Sequence, residues 1–208
     1  MKGAFITLEG VEGCGKTTQM TLLRDRLEAD GRRVLLTREP GGTPIGEAIR
    51  EILLDPVNTP LSPTAELLLY EAARAQHVAE KIKPALDEGM IVVCDRFADS
   101  TTAYQGAGRV LPLDTVLELH RVATGTVWPD LTIILDIPAQ VGLERAAAAH
   151  NRDRIELEPL VFHERVRDEF LRIAEREPER VKIVDALQPP ESVGAIIYKE
   201  VCKKLEQP

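Results

Sequence analysis

The chain has 208 residues, a length that suits one domain, and 44% of them are apolar, enough for a substantial buried core. A formal net charge of -8 argues against a protein whose main task is gripping nucleic acid, so any phosphate chemistry must rest on a few placed cations. Three cysteines without C-x-x-C spacing point to neither a disulfide framework nor a zinc site, and with no leader and no apolar run near the ~18 residues that span a bilayer, the expectation is a protein of the reducing cytoplasm without membrane or nucleic-acid partners.

Ala4 to Leu8 is a short apolar run with strand character. It leads into Gly10, Val11, Glu12, Gly13, Cys14, Gly15, Lys16 and Thr17, which fit G-x-x-x-x-G-K-[ST], the pattern of a phosphate-binding P-loop. In such a loop backbone N–H groups wrap phosphates, the lysine reaches the β and γ oxygens, and the Thr17 hydroxyl can ligate magnesium. From Thr18 to Leu27 apolar residues at Met20, Leu22, Leu23 and Leu27 have helical spacing, so a strand enters the loop and a helix leaves it.

Gly31 stops that helix, and Arg33 to Thr37 reads as a second strand. A turn follows at Arg38-Glu39-Pro40-Gly41-Gly42-Thr43, then a helix over Ile45 to Leu54 with Arg50 on its polar side. Ser62-Pro63 is a good N-cap and first-turn pair for a long helix reaching about Asp87. Tyr70 and Arg74 lie four apart on one flank of it; read alone, they are a half-buried packing residue and a solvated charge. Met90 to Cys94 is a continuous apolar run of the buried parallel kind, closed by Asp95-Arg96. An acidic residue there is placed to hold magnesium, directly or through water.

Phe97 to Gly108 predicts a short helical piece and a loop, and Leu113 to Ala123 an amphipathic helix. Leu131 to Leu135 is the fourth strand, Pro138 to Ala149 a helix, Leu160 to Ala174 another, Val181 to Val184 the last strand and Glu191 to Leu205 the last helix. Residues 148–158 interrupt the apolar pattern and read as a short lid. His77, His120, His150 and His163 show no ligand spacing and read as plain surface or core histidines.

Five strands alternating with helices predict a three-layer α/β P-loop fold: a five-stranded parallel sheet flanked by helices, plus the lid. Ligands then bind beyond the carboxyl ends of the strands, where Glu9-Gly10, Arg38-Glu39, Asp95-Arg96, Asp136 and Asp185 gather. The N-K-x-D and D-x-x-G strings of guanine-specific GTPases are absent, which favours a small-molecule kinase. A hydroxyl acceptor would need a base, and Asp95 could serve; a phosphate acceptor, already mostly dianionic, needs cations instead, and Arg50, Arg74 and Arg96 suit that better. A deoxynucleoside kinase and a P-loop switch without turnover stay open as alternatives.

Glu9 to Thr18, Thr37 to Thr43, the helix Leu69-Tyr70-Glu71-Ala72-Ala73-Arg74, and Asp95-Arg96-Phe97 followed by Ser100 to Gln105 together resemble the bacterial thymidylate kinase family over nearly the whole chain. The resemblance implies transfer of the ATP γ-phosphoryl group to dTMP, with magnesium held by Thr17 and Asp95, and a homodimer. It implies that Glu12 contacts the acceptor's 3′-hydroxyl and the metal's water shell, and that Arg50 and Arg96 bind its phosphate. Tyr70 stands where an aromatic ring stacks on thymine, and Arg74 where a donor meets the thymine O4. Thr101 and Gln105 match residues near the base edge, Tyr104 the ring crowding the 2′ position, and Glu39 and Pro40 the loop lining the pocket. Lys16, Asp95 and Arg96 are the expected catalytic residues on the loop side. Members without an arginine in the P-loop supply one from the lid, but this chain has Ala147 and Ala149 where relatives carry arginines. Of Arg145, Arg152 and Arg154, Arg152 is the expected arginine finger, because Asn151 and Asp153 flank it where the helical pattern breaks.

Overall fold

The computed structural model describes residues 3–149 and 152–206. Its centre is one parallel sheet in the order β2-β3-β1-β4-β5, built from β1 (Ala4–Glu9), β2 (Val34–Arg38), β3 (Ile91–Asp95), β4 (Leu131–Asp136) and β5 (Val181–Asp185). The register pairs Leu8 with Asp95 and with Ile133, so β1 ends between its two neighbours, at the point where strand order reverses. Each strand begins and ends within a residue of the sequence expectation, and the extension at the carboxyl ends has one cause. The polar residue closing each strand, such as Asp95 or Asp136, still pairs in the ladder.

Helices α1 (Lys16–Ala29), α2 (Pro44–Leu54), α3 (Pro63–His77), α4 (Lys83–Asp87), α5 (Ala98–Thr101), α6 (Leu113–Thr124), α7 (Ala139–Ala149), α8 (Leu160–Arg176) and α9 (Pro190–Leu205) cover the sheet. Alternate residues of β1 feed opposite faces: Ile6 and Leu8 join the larger apolar cluster, Phe5 the smaller one with Val92 and Phe97. Ser62 caps α3 by accepting from the Ala65 N–H, and Thr43 caps α2 from Gly46. None of the helices among the described residues is long and apolar enough to cross a membrane.

Two expectations need correction. The long helix is not regular to Asp87, because a π-helical turn at Val78–Ile82 separates α3 from α4. Nor is the stretch after α5 a loop. Thr102–Gly108 winds as a π-helix, closed by the Arg109 N–H on the Tyr104 carbonyl at 2.9 Å. Its glycines and hydroxyls lower helix propensity, but the packing of α8 decides the outcome: a Cβ on Gly108 would lie 2.6 Å from the Phe162 ring.

Candidate active site

At the carboxyl edge of the sheet lies a cavity of about 500 Å³. One wall is the P-loop. Gly15 caps α1 in a left-handed conformation (φ 95) with no side-chain cap and open space where a Cβ would point, which leaves the first-turn N–H groups for an anion. Lys16 Nζ sits 3.3 Å from the carbonyl oxygens of Gly10 and Val11 and 3.5 Å from Cys14 Sγ, long contacts that a phosphate oxygen can replace. Glu12, Gly13, Cys14, Gly15, Lys16, Thr17 and Thr18 line the cavity, whereas Gly10 and Val11 do not, Val11 being turned into the core.

Asp95 and Arg96 close the floor. Arg96 is a non-glycine residue in the left-handed region (φ 68), and its backbone is held there by its own N–H on the Leu8 carbonyl at 3.0 Å and by the next N–H, of Phe97, on Glu9 Oε1 at 2.7 Å. That turn sends the guanidinium back over the loop, to the Gly10 carbonyl at 2.9 Å, Ser100 Oγ at 3.2 Å and Glu12 Oε1 at 3.3 Å, with the Tyr104 ring 4.8 Å from its centre. Tyr104 donates its hydroxyl to Glu12 Oε1 at 2.5 Å, and His163 lies 3.1 Å from Glu12 Oε2. Burial pushes Glu12 up, but the His163 hydrogen bond and the Arg96 charge outweigh it and bring the carboxyl down to about 2. Asp95 Oδ1 is buried without a partner among the described residues, an oxygen that suits a hard cation.

The opposite wall carries Glu39, Pro40, Arg50, Tyr70, Arg74, Thr101 and Gln105. Arg74 is not a solvated charge: its side chain is 1% exposed. Its Nε donates to Glu39 Oε2 at 2.9 Å, Nη1 to Glu71 Oε1 at 2.6 Å and Nη2 to Thr101 Oγ1 at 2.9 Å, while Phe97 offers a ring face 5.1 Å away. Gln105 is fixed by Glu66, which also takes Arg109 and Arg154. Arg50, half-buried, donates to the Pro40 carbonyl at 2.8 Å, and burial together with the nearby Arg38 lowers its pKa. An anion is the partner that would relieve it.

The histidines take the core side of the sequence reading, with polar partners that it does not foresee. His77, His120 and His163 are all buried, and each places Nδ1 about a hydrogen bond from a carboxylate of this region: Glu39, Glu71 and Glu12. No local pattern signals them, since each pair joins residues far apart in the chain. In the lid segment His150 and Asn151 lie outside the described residues. Its second half is anchored: Asp153 Oδ1 accepts from the Ile155 and Glu156 N–H groups, and Arg154 donates to the Leu53 carbonyl at 2.7 Å and pairs with Glu66 at 2.7 Å. Arg152 is exposed and is not among the residues lining the cavity; Arg145, on α7 beside Gly13, is. Phe97 and Ser100 line the site without being singled out as site residues in the sequence, and so does Arg145, which the sequence offers only as an alternative to Arg152.

Comparison with known proteins agrees with this geometry. A profile of the thymidylate kinase family matches residues 8–197. A thymidylate kinase of Thermomicrobium roseum is 53% identical over 204 residues, covering 98% of this chain and 96% of its own, and that of Geobacter sulfurreducens is 53% identical over 201 residues, with 94% of each covered. The crystal structure of thymidylate kinase from Ehrlichia chaffeensis superimposes with a TM-score of 0.78 at 33% identity, over 97% of this chain and 99% of that one. A P-loop facing a caged arginine across one cavity, on a chain this similar to those relatives throughout its length, places the protein in the thymidylate kinase family.

Proposed function

We propose that this enzyme transfers the γ-phosphoryl group of ATP to dTMP, giving dTDP, within one domain. The observation that carries the reading is the opposition of two walls in one cavity, a P-loop on one side and Arg50, Tyr70 and Arg74 on the other. Lys16 and the loop N–H groups bind the donor phosphates, while Arg50 and Arg96 hold the acceptor phosphate against charge repulsion. Tyr70 stacks on the base and Arg74 donates to its O4, where a cytosine would present an amino group and leave the guanidinium without an acceptor. The acceptor phosphate is already a nucleophile at neutral pH, so no side chain need take a proton from it. Magnesium, when bound, offsets charge on the phosphate oxygens, and Thr17 and Asp95 are the residues that would hold it.

Transition-state charge on the transferring group also needs an arginine. Sequence alone favours Arg152; the lining of the cavity favours Arg145, which we adopt. A coupled ADP-release assay with dTMP, dUMP, thymidine and buffer alone tests the function. ADP release is expected with dTMP and not with thymidine; turnover of thymidine would instead mean a hydroxyl acceptor with Asp95 as base.

Exposed Ile45 and Ile52 on α2 and Leu68 on α3, two helices that pack together, support a homodimer covering this face, to be checked by sedimentation. Three free cysteines fit the reducing cytoplasm where ATP is the common donor.

A further inference from the structure

The Arg74 guanidinium has five N–H groups, and a carboxylate beside it normally takes two of them in a parallel, bidentate pair. Two carboxylates flank Arg74, so between them they could absorb four. They take only two, one each, and Thr101 takes a third. One hydrogen on Nη1 and one on Nη2 are left without an acceptor among the described residues.

A histidine stands behind each carboxylate. His77 Nδ1 lies 2.9 Å from Glu39 Oε1, the oxygen Arg74 does not use, and its Nε2 is fixed 2.7 Å from the Thr37 hydroxyl at the end of β2. His120 Nδ1 lies 2.9 Å from Glu71 Oε1, the same oxygen Arg74 uses, and its Nε2 is 3.1 Å from Thr102 Oγ1. A carboxylate only accepts, so both Nδ1 atoms donate. On the Glu39 side the histidine occupies the second oxygen; on the Glu71 side it pins the shared oxygen and leaves Oε2 buried and unpaired. Both imidazoles are fully buried, so neither can be replaced there by bulk water.

We propose that His77 and His120 are positioning residues that hold Glu39 and Glu71 in one-point contact with Arg74, so that two guanidinium N–H groups stay open for the acceptor's base. This rests on the reading that Arg74 meets that base. Without either imidazole donor its carboxylate turns, pairs bidentately with Arg74 and consumes an N–H the substrate needs.

The test uses the full-length protein with His77→Asn, His77→Gln, His120→Asn and His120→Gln, alongside Arg74→Ala. Asparagine carries its amide where Nδ1 was and keeps the donor; glutamine carries it where Nε2 was and loses it. The glutamine variants are expected to raise KM for dTMP about tenfold, with kcat and KM for ATP within about twofold, and the asparagine variants to stay near the wild-type KM. His77→Gln added to Arg74→Ala should raise the dTMP KM no further, since the histidine acts only through the arginine. Equal effects of asparagine and glutamine, or full additivity with Arg74→Ala, overturn the proposal alone. A wild-type dTMP KM in Arg74→Ala overturns the assignment of Arg74 to the base, and this proposal with it.

Discussion

His163 on α8 lies 3.1 Å from Glu12 in the P-loop, so the helix that follows the lid and the glycine-rich loop are joined by a buried hydrogen bond. Its Nε2 has no partner among the described residues, which leaves the bond to Glu12 as the ring's polar anchor. The bond bears on stability as well as placement. Glu12 has its carboxyl at about 2 in the fold against 4.5 as a free group, so its contribution is present above pH 4.5 and lost as pH falls toward 2. His163→Leu is expected to cost about 1.5 to 3 kcal/mol at pH 7, the range for a hydrogen bond to a charged group. It should also move the acid-unfolding midpoint upward. Urea titrations at pH 7 and pH 4 check both; an unchanged acid midpoint would show that Glu12 is held by Arg96 and Tyr104 without the histidine.

Glu9 has the opposite sign. Burial first, and the neighbouring Asp99 second, push its carboxyl up to about 7, even though Ser100 and the Phe97 N–H donate to it. The folded chain therefore keeps a proton that the unfolded chain releases above pH 4.5, and stability declines as pH rises from 4.5 to 7. Glu9→Gln removes that titration. Relative to wild type, the variant should gain up to about 3 kcal/mol between pH 4.5 and pH 8, measured as the change in urea stability. Parallel curves for the two proteins across this range would show that Glu9 does not titrate there.

Lys16→Ala should abolish transfer and leave the fold intact. Among the described residues the ammonium touches only carbonyl oxygens and a thiol of its own loop, at 3.3 to 3.5 Å, so little stability depends on it. Its charge is placed for phosphate oxygens, and losing one such donor lowers kcat by about a hundredfold or more. The melting temperature should stay within a few degrees of wild type. Near-normal turnover would remove the P-loop from the chemistry.

Much of the site is legible in the sequence because its parts are local. The P-loop is one unbroken string, and the Asp95-Arg96 pair closes an apolar strand, so each announces its own geometry. Arg74 is different. Read alone it is a solvated charge, because its helix position does not reveal that Glu39, Thr101 and Phe97, from two other segments, bury it. The histidines were unreadable for the same reason, each meeting its carboxylate only through the fold. The π-helical Thr102–Gly108 reads as a loop in the sequence because glycine and hydroxyl residues carry weak local preference, and the deciding contact, Gly108 against Phe162, is tertiary.

The lid arginines divide by environment. Arg154 is 3% exposed, paired with Glu66 at 2.7 Å and donating to the Leu53 carbonyl, so it fastens the end of the lid to α2 and α3, while Gln105 and Arg109 also hold Glu66. Arg154→Ala is therefore expected to destabilise the fold by about 1.5 to 3 kcal/mol, the range for hydrogen bonds to a charged group, a loss visible in melting before any kinetics. Arg152 is exposed and away from the cavity lining. Arg145 stands on α7 next to Gly13: a Cβ on that glycine would come within 3.0 Å of the Arg145 Cβ, so its side chain starts from the rim of the phosphate loop itself. The transferring group spreads charge over its equatorial oxygens, and a P-loop without arginine leaves that charge to be met from this side. Arg145→Ala should lower kcat at least about a hundredfold with both KM values near wild type, as expected for a contact made in the transition state. Should Arg152→Ala show that loss while Arg145→Ala does not, the lid must bring Arg152 inward on closure, and the arginine beside Gly13 has no part in transfer.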